Sequence, residues 1–240
     1  MAEISPSFDA FAKGFEAGEN QVVFARLAAD LDTPVSLMLK LGGAGGRDAF
    51  ILESVTGGEV RGRYSIIGVK PDLVWRCRGE QSDVNRTARF DRDAFEPVDG
   101  SPLDALRALI AESQIALPAD LPAAAAGRFG FLGYDMIRLV EHLPDVNPDP
   151  LDLPDAVMFR PSVVAVLDGG KGVVTVVAPA WAGAGLSAKA AYAQAAERVM
   201  DAVRDLERPA PSETRSLGDA APQPEPVSNF TMDDYLAAVE

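Results

Sequence analysis

Few residues in this chain have the type and spacing to do chemistry. His142 is the single histidine. No Cys or paired carboxylate stands near it at ligand spacing, so a metal role is not expected. Cys77 is the single cysteine. Arg76 and Arg78 flank it and would lower its pKa, but its place in a β pattern points to a buried, inert thiol. It has no partner for an internal disulfide, and the cytoplasm is the expected compartment. Gly42 to Gly46 form a G-G-A-G-G run without the Gly-Lys-Ser/Thr ending of a phosphate loop, ahead of a strand rather than a helix, so a turn is expected. Glu53 and Ser54 stand side by side at the end of F-I-L-E-S. Taken alone, such a pair in a strand is solvated rather than ligand-binding.

Composition narrows the partners. The 240 residues carry a formal net charge of −14. Phosphate binding needs clustered Lys and Arg, so a nucleic-acid groove is excluded, and an anionic membrane surface is disfavoured. The apolar runs 162–167 and 173–178 are split by D-G-G-K-G, far short of a spanning segment. The start M-A-E-I-S-P-S-F-D lacks the basic and apolar regions of a secretory signal.

The elements that must position these residues alternate between short helices and strands. Phe8, Phe11, Ala12 and Phe15 share a helix face closed by Gly18. A strand follows over Val22 to Leu27. Thr33 caps a short helix that opens on Pro34 and ends near Leu41, with a strand as the alternative reading. From 50 to 91 the pattern is β: F-I-L-E-S-V, a G-G hairpin signal, Y-S-I-I-G-V, L-V-W-R-C-R and a polar return R-T-A-R-F-D. Arg63 is expected to pair with Glu53 or Glu59 across strands. Pro102 to Ser113 reads as an amphipathic helix with Ser101 as cap and Leu103, Leu106, Leu109 and Ile110 on one face. The G-R-F-G-F-L-G-Y-D segment is a strand running into a helix capped by Asp135. Three strands follow, at Ala156 to Phe159, Ser162 to Leu167 and Val173 to Val177, then a long helix over Ser187 to Leu206. Trp75 and Trp181 are expected to serve packing. This is α+β, antiparallel sheets with flanking helices, rather than βαβ.

Residues 1–207 form one expected domain and 208–228, rich in Pro, Ala and Glu, a linker. At 229–240 a new unit starts, with Thr231 and Asp234 as a capping-box variant. The chain ends two turns into that helix, and a truncated chain is the expectation.

The stretches P-V-S-L-M-L-K-L at 34–41, F-I-L-E-S-V-T-G-G-E-V-R-G-R-Y-S-I-I-G at 50–68, G-F-L-G-Y-D-M-I-R at 130–138 and L-P-D-A-V-M-F at 153–159 resemble the amino-terminal half of anthranilate synthase component I. The final S-N-F-T-M-D-D-Y-L-A-A-V-E resembles the entry to that family's chorismate-binding domain. Aminodeoxychorismate synthase component I shares the pattern more loosely. The resemblance implies the amino-terminal half of a layered β/α sandwich. It implies conversion of chorismate and ammonia to anthranilate and pyruvate, with Mg2+ and a glutamine amidotransferase subunit. The family's metal and catalytic residues lie in its other domain, so this chain supplies no catalytic residue and is expected to be inactive alone. Ile51, Leu52, Glu53 and Ser54 match the family's L-L-E-S motif, part of its feedback site for L-tryptophan. There Glu53 would accept from the effector ammonium, Ser54 would hydrogen-bond it, and Pro34 would line an apolar wall. A stand-alone amino-acid-binding module is the alternative from a different class.

Overall fold

The computed structural model describes residues 2–42, 48–53, 62–144, 149–210 and 225–239. Nine strands build one sheet: β1 (Ile4–Ser5), β2 (Gln21–Ala28), β3 (Phe50–Leu52), β4 (Tyr64–Arg78), β5 (Gln81–Asn85), β6 (Glu96–Val98), β7 (Phe129–Leu132), β8 (Ala156–Asp168) and β9 (Val173–Ala180). The main path runs β1-β2-β9-β8-β4-β5-β6, with β3 added to β4 and β7 to β8. Every pairing is antiparallel. Four helices among the described residues flank it, α1 (Phe8–Glu16), α2 (Pro34–Gly42), α3 (Pro102–Glu112) and α4 (Ala188–Glu207), and a fifth, α5 (Met232–Val239), buries no residue.

The central strands are near-continuous runs of Val and Ala because both of their faces are covered. On β2 and β8, Val23, Ala25, Val163, Ala165 and Leu167 point toward α1, α2 and α4, where they meet Phe11, Leu37 and Val199. Their neighbours Val22, Phe24, Val164 and Val166 point the other way and are covered by Leu121, Ala125 and Ala126. Small residues let α4 lie close to the sheet: Ala188, Ala191, Ala195 and Ala202 are all buried in its contact stripe. A third cluster gathers Leu73, Trp75, Cys77 and Val84 under Leu106 and Leu109 of α3.

Several local expectations hold. Gly18 follows α1 with φ +85°, and the long helix expected over Ser187 to Leu206 is α4. The Thr33 hydroxyl accepts from the Ser36 amide at the start of α2. Thr231 accepts from the Asp234 amide (3.1 Å) and donates to its carboxylate (2.6 Å).

Others are corrected. The two strands expected between 64 and 78 are one, bent by a bulge at Pro71–Leu73, and the strands expected at 156–159 and 162–167 are also one. Pro71 faces Pro161 at that point. Neither proline can donate to the ladder, so pairing breaks locally without ending either strand. The return strand is β5, not R-T-A-R-F-D, whose residues turn away after Asn85. In α3, Ser101 makes no side-chain cap and Ile110 is exposed. After β7 the chain forms a 3-10 turn, Tyr134–Leu139, and Asp135 pairs with Arg138 instead of capping a helix. The expected G-G-A-G-G turn beyond Gly42 and the hairpin after Ser54 lie outside the described residues.

Gly130 shows how tightly β7 is laid on β8. A Cβ there would come within 1.8 Å of the Val157 carbonyl oxygen, a backbone atom that cannot step aside. Gly130→Ala is expected to destabilise the fold by about 1–3 kcal/mol, the usual range for overpacking, read as a lower urea midpoint with little change in slope.

Candidate functional site

β3 is three residues long and owes its place to its two neighbours. It pairs with β4 at Ile66, Ile67 and Gly68. Ile51 packs on the helical side of the sheet, against the core that holds Leu37 and Leu41 of α2. Phe50 faces the other side, stacked on Phe129 at 4.4 Å between ring centres and tilted against Phe159 at 5.5 Å. Gly68 makes room for that ring, because a Cβ there would lie 2.0 Å from it. With Leu52, Phe131, Met158 and Arg128, the three rings line an apolar pocket of about 450 Å3.

Glu53 follows directly on β3. It is exposed and makes no hydrogen bond or ion pair with the described residues. Pro34 opens α2, which packs behind β3 and β4. The two expected effector residues therefore sit on elements supported by one strand, though neither lines the aromatic pocket. Ser54 lies outside the described residues.

Arg63 does not turn to Glu53. Its guanidinium forks onto Asp168 at the end of β8, Nε to Oδ1 at 2.9 Å and a terminal nitrogen to Oδ2 at 2.6 Å. Glu59, the other expected partner, is outside the described residues. The fork fixes the point where the chain re-enters the sheet after the segment that starts at Glu53. The hydrogen bond from Arg63, with its charge and the Gly170 and Lys171 amides, holds the Asp168 carboxyl below the usual carboxylate range against a smaller opposing effect of burial.

Sequence reasoning missed a cluster of arginines on the sheet face opposite α4. Arg160, 8% exposed, sits opposite the β4 bulge. Its Nε donates to Asp72 at 2.7 Å and a terminal nitrogen to the buried Ser113 hydroxyl at 2.9 Å. Trp181 stacks on the guanidinium at 4.2 Å and donates to Asp72 at 2.8 Å, so it is an orienting residue as well as a packing one. Arg86 forks onto Glu112 at 2.8 and 2.9 Å, and Arg160 reaches the same carboxylate at 3.3 Å. Arg128 touches only the Ser113 hydroxyl, at 2.5 Å, and has no ion pair among the described residues. An arginine interrupting an apolar strand, as Arg160 does in β8, was the available signal.

Cys77 is fully buried and its thiol is pushed up to about 11, by burial first and Asp155 second. The flanking arginines do not activate it. Among the described residues no three His, Cys, Asp or Glu side chains converge on a possible metal position. No helix among them is long and apolar enough to cross a membrane.

Two outcomes are expected. Asp168 titrates lower in the folded than in the unfolded chain, where its value is roughly 3.9. Its stabilising contribution is thus complete above that value and lost as pH falls through the folded one. Asp168→Asn should lower the urea midpoint at pH 7 and flatten its decline below about pH 4. Cys77 should resist thiol reagents at pH 8 until denaturant unfolds the protein; rapid labelling of the native state would contradict this.

No family model matches the chain. Anthranilate synthase component 1 of Cereibacter sphaeroides is 69% identical over 234 residues, 98% of this chain and 46% of that protein. The Synechocystis protein of the same name is 34% identical over 217 residues, 89% of this chain and 42% of its own. The chain thus spans about half the length of the curated relatives it matches. The crystal structure of anthranilate synthase component I from Streptococcus pneumoniae TIGR4 shares the fold, with a TM-score of 0.51 and 23% identity over 77% of this chain and 37% of the other. With its antiparallel sheet and flanking helices in common with that structure, and its sequence matched almost from end to end, the chain belongs to the anthranilate synthase component I family.

Proposed function

We propose that the chain is the amino-terminal, regulatory part of an anthranilate synthase component I. The full-length protein would convert chorismate and ammonia to anthranilate and pyruvate in tryptophan biosynthesis, in the cytoplasm. The observation that carries this is the 69% identity over nearly the whole chain to a protein of that name. The catalytic residues would lie outside this chain, as would the Mg2+ ligands, and the fragment by itself would be inactive. Ammonia would come from a glutamine amidotransferase partner. A group of exposed apolar side chains, Phe131, Tyr134 and Val140, supports a further segment packing beside the β7 turn.

Glu53, Ser54 and Pro34 form one side of the feedback site for L-tryptophan. An amino-acid effector presents an ammonium, and Glu53 is an exposed carboxylate with no partner among the described residues, free to accept a charge-assisted hydrogen bond. Residues beyond this chain would close the other side.

In a full-length protein carrying this chain, Ser54→Phe should relieve inhibition by tryptophan at least tenfold while leaving uninhibited activity within about twofold. Glu53→Gln should weaken inhibition in the same direction. Steady-state anthranilate formation across a tryptophan series reads both, and unchanged inhibition in both variants would overturn the assignment.

A further inference from the structure

A cleft of about 1080 Å3 opens on the sheet face opposite α4, between the end of α3, the segment 114–127 and the β7–β8 pair. Leu106, Ile110, Ile115, Leu117, Leu132 and Met158 give it apolar walls. Arg128 lies at the point where this cleft adjoins the aromatic pocket beside β3, since it and Met158 line both. We propose that the cleft binds a small organic monocarboxylate with an apolar ring or chain, the carboxylate taken by Arg128 and the body by those walls.

The charge arrangement carries this. Three arginines converge here, and two are satisfied: Arg160 by Asp72 and Arg86 by Glu112. Glu112 accepts from Arg86 and Arg160 and makes no hydrogen bond to Arg128. Arg128 keeps one neutral hydroxyl as acceptor, and its Nε is buried with no acceptor among the described residues. Burial, then the neighbouring Arg160, push this guanidinium down to about 10, and Glu112 and Asp72 offset that only in part. It is still a cation at neutral pH. A half-buried cation without a counter-ion is costly, and a partner anion offsets that cost.

The same features select the ligand. Ligand sites are mostly apolar, with a few convergent polar groups and volumes of about 300–1,000 Å3. One uncommitted cation balances one negative charge. A second would meet apolar walls. A planar carboxylate suits the fork of an arginine. With a net charge of −14 on the chain, retention of an anion needs such a local cation.

Titration calorimetry with benzoate, and with benzamide as its neutral counterpart, tests the site. Benzoate should bind saturably and benzamide at least tenfold more weakly. Arg128→Met should weaken benzoate at least tenfold, whereas Arg128→Lys should retain part of the affinity. Ala123 is exposed on the rim of the cleft, so Ala123→Trp obstructs it without entering the core and should also abolish binding. That variant carries the test if Arg128→Met fails to fold by circular dichroism. Glu53→Gln should leave benzoate binding unchanged, which separates this site from the proposed effector site. Absence of saturable benzoate binding, equal affinity for benzamide, or full binding by Ala123→Trp would overturn the proposal.

Discussion

The antiparallel pairing of β4 with β8 is the constraint on which the rest of this structure hangs. Its register runs from Tyr64–Asp168 at one end to Cys77–Ala156 at the other. β3 and β5 are added to one member, and β7 and β9 to the other. A pair this long twists, and a straight ladder would carry its two ends away from a shared core. The bulge at Pro71–Leu73 breaks the ladder where two prolines face each other. It leaves Asp72 as the extra residue, outside the pairing. Asp72 then collects Arg160 and the Trp181 indole, so the interruption in backbone bonding is stitched by a charge-assisted network. Ser162 adds a hydrogen bond to the Lys70 carbonyl at 2.6 Å.

Burial of charge on this scale is ordinarily unfavourable, because desolvation offsets most of the Coulombic gain unless every donor finds an acceptor. Arg160 meets that condition and Arg86 comes near it. Arg128 does not. The contrast among three side chains within one cluster makes Arg128 informative, since its one hydrogen-bond acceptor among the described residues is a neutral hydroxyl.

The two proposed sites are built differently. β3 is anchored by one short ladder, one isoleucine on the helical side and one stacked phenylalanine on the other. Few buried contacts hold it, the usual condition of an element of low local stability. The Arg63–Asp168 fork and the stack of Phe50 on Phe129 hold the edges of that element. The Arg128 cleft rests instead on long strands and the end of a well-packed helix, a rigid support of the kind that preorganised polar sites need.

The sequence by itself determined much of this protein. Helix starts near Phe8, Pro34, Pro102 and Ser187 follow from apolar spacing and proline placement, the α+β class from short strands between turn signals, and the family from motifs that run in order along the chain. It also singled out Glu53 and Pro34 as candidates, though by resemblance: local pattern alone would have left Glu53 a solvated side chain. Only the tertiary structure decided that 64–78 and 156–168 are single strands, because proline reads locally as a stop and is tolerated here only where two prolines oppose each other at a bulge. Only it sent Arg63 to Asp168, a partner 105 positions away. It also brought Arg86, Glu112, Arg128 and Arg160 together from four different parts of the chain. Side-chain spacing along one segment encodes the face of a helix or strand. Which distant charges meet depends on strand order and register, and these are fixed by the packing of the whole sheet.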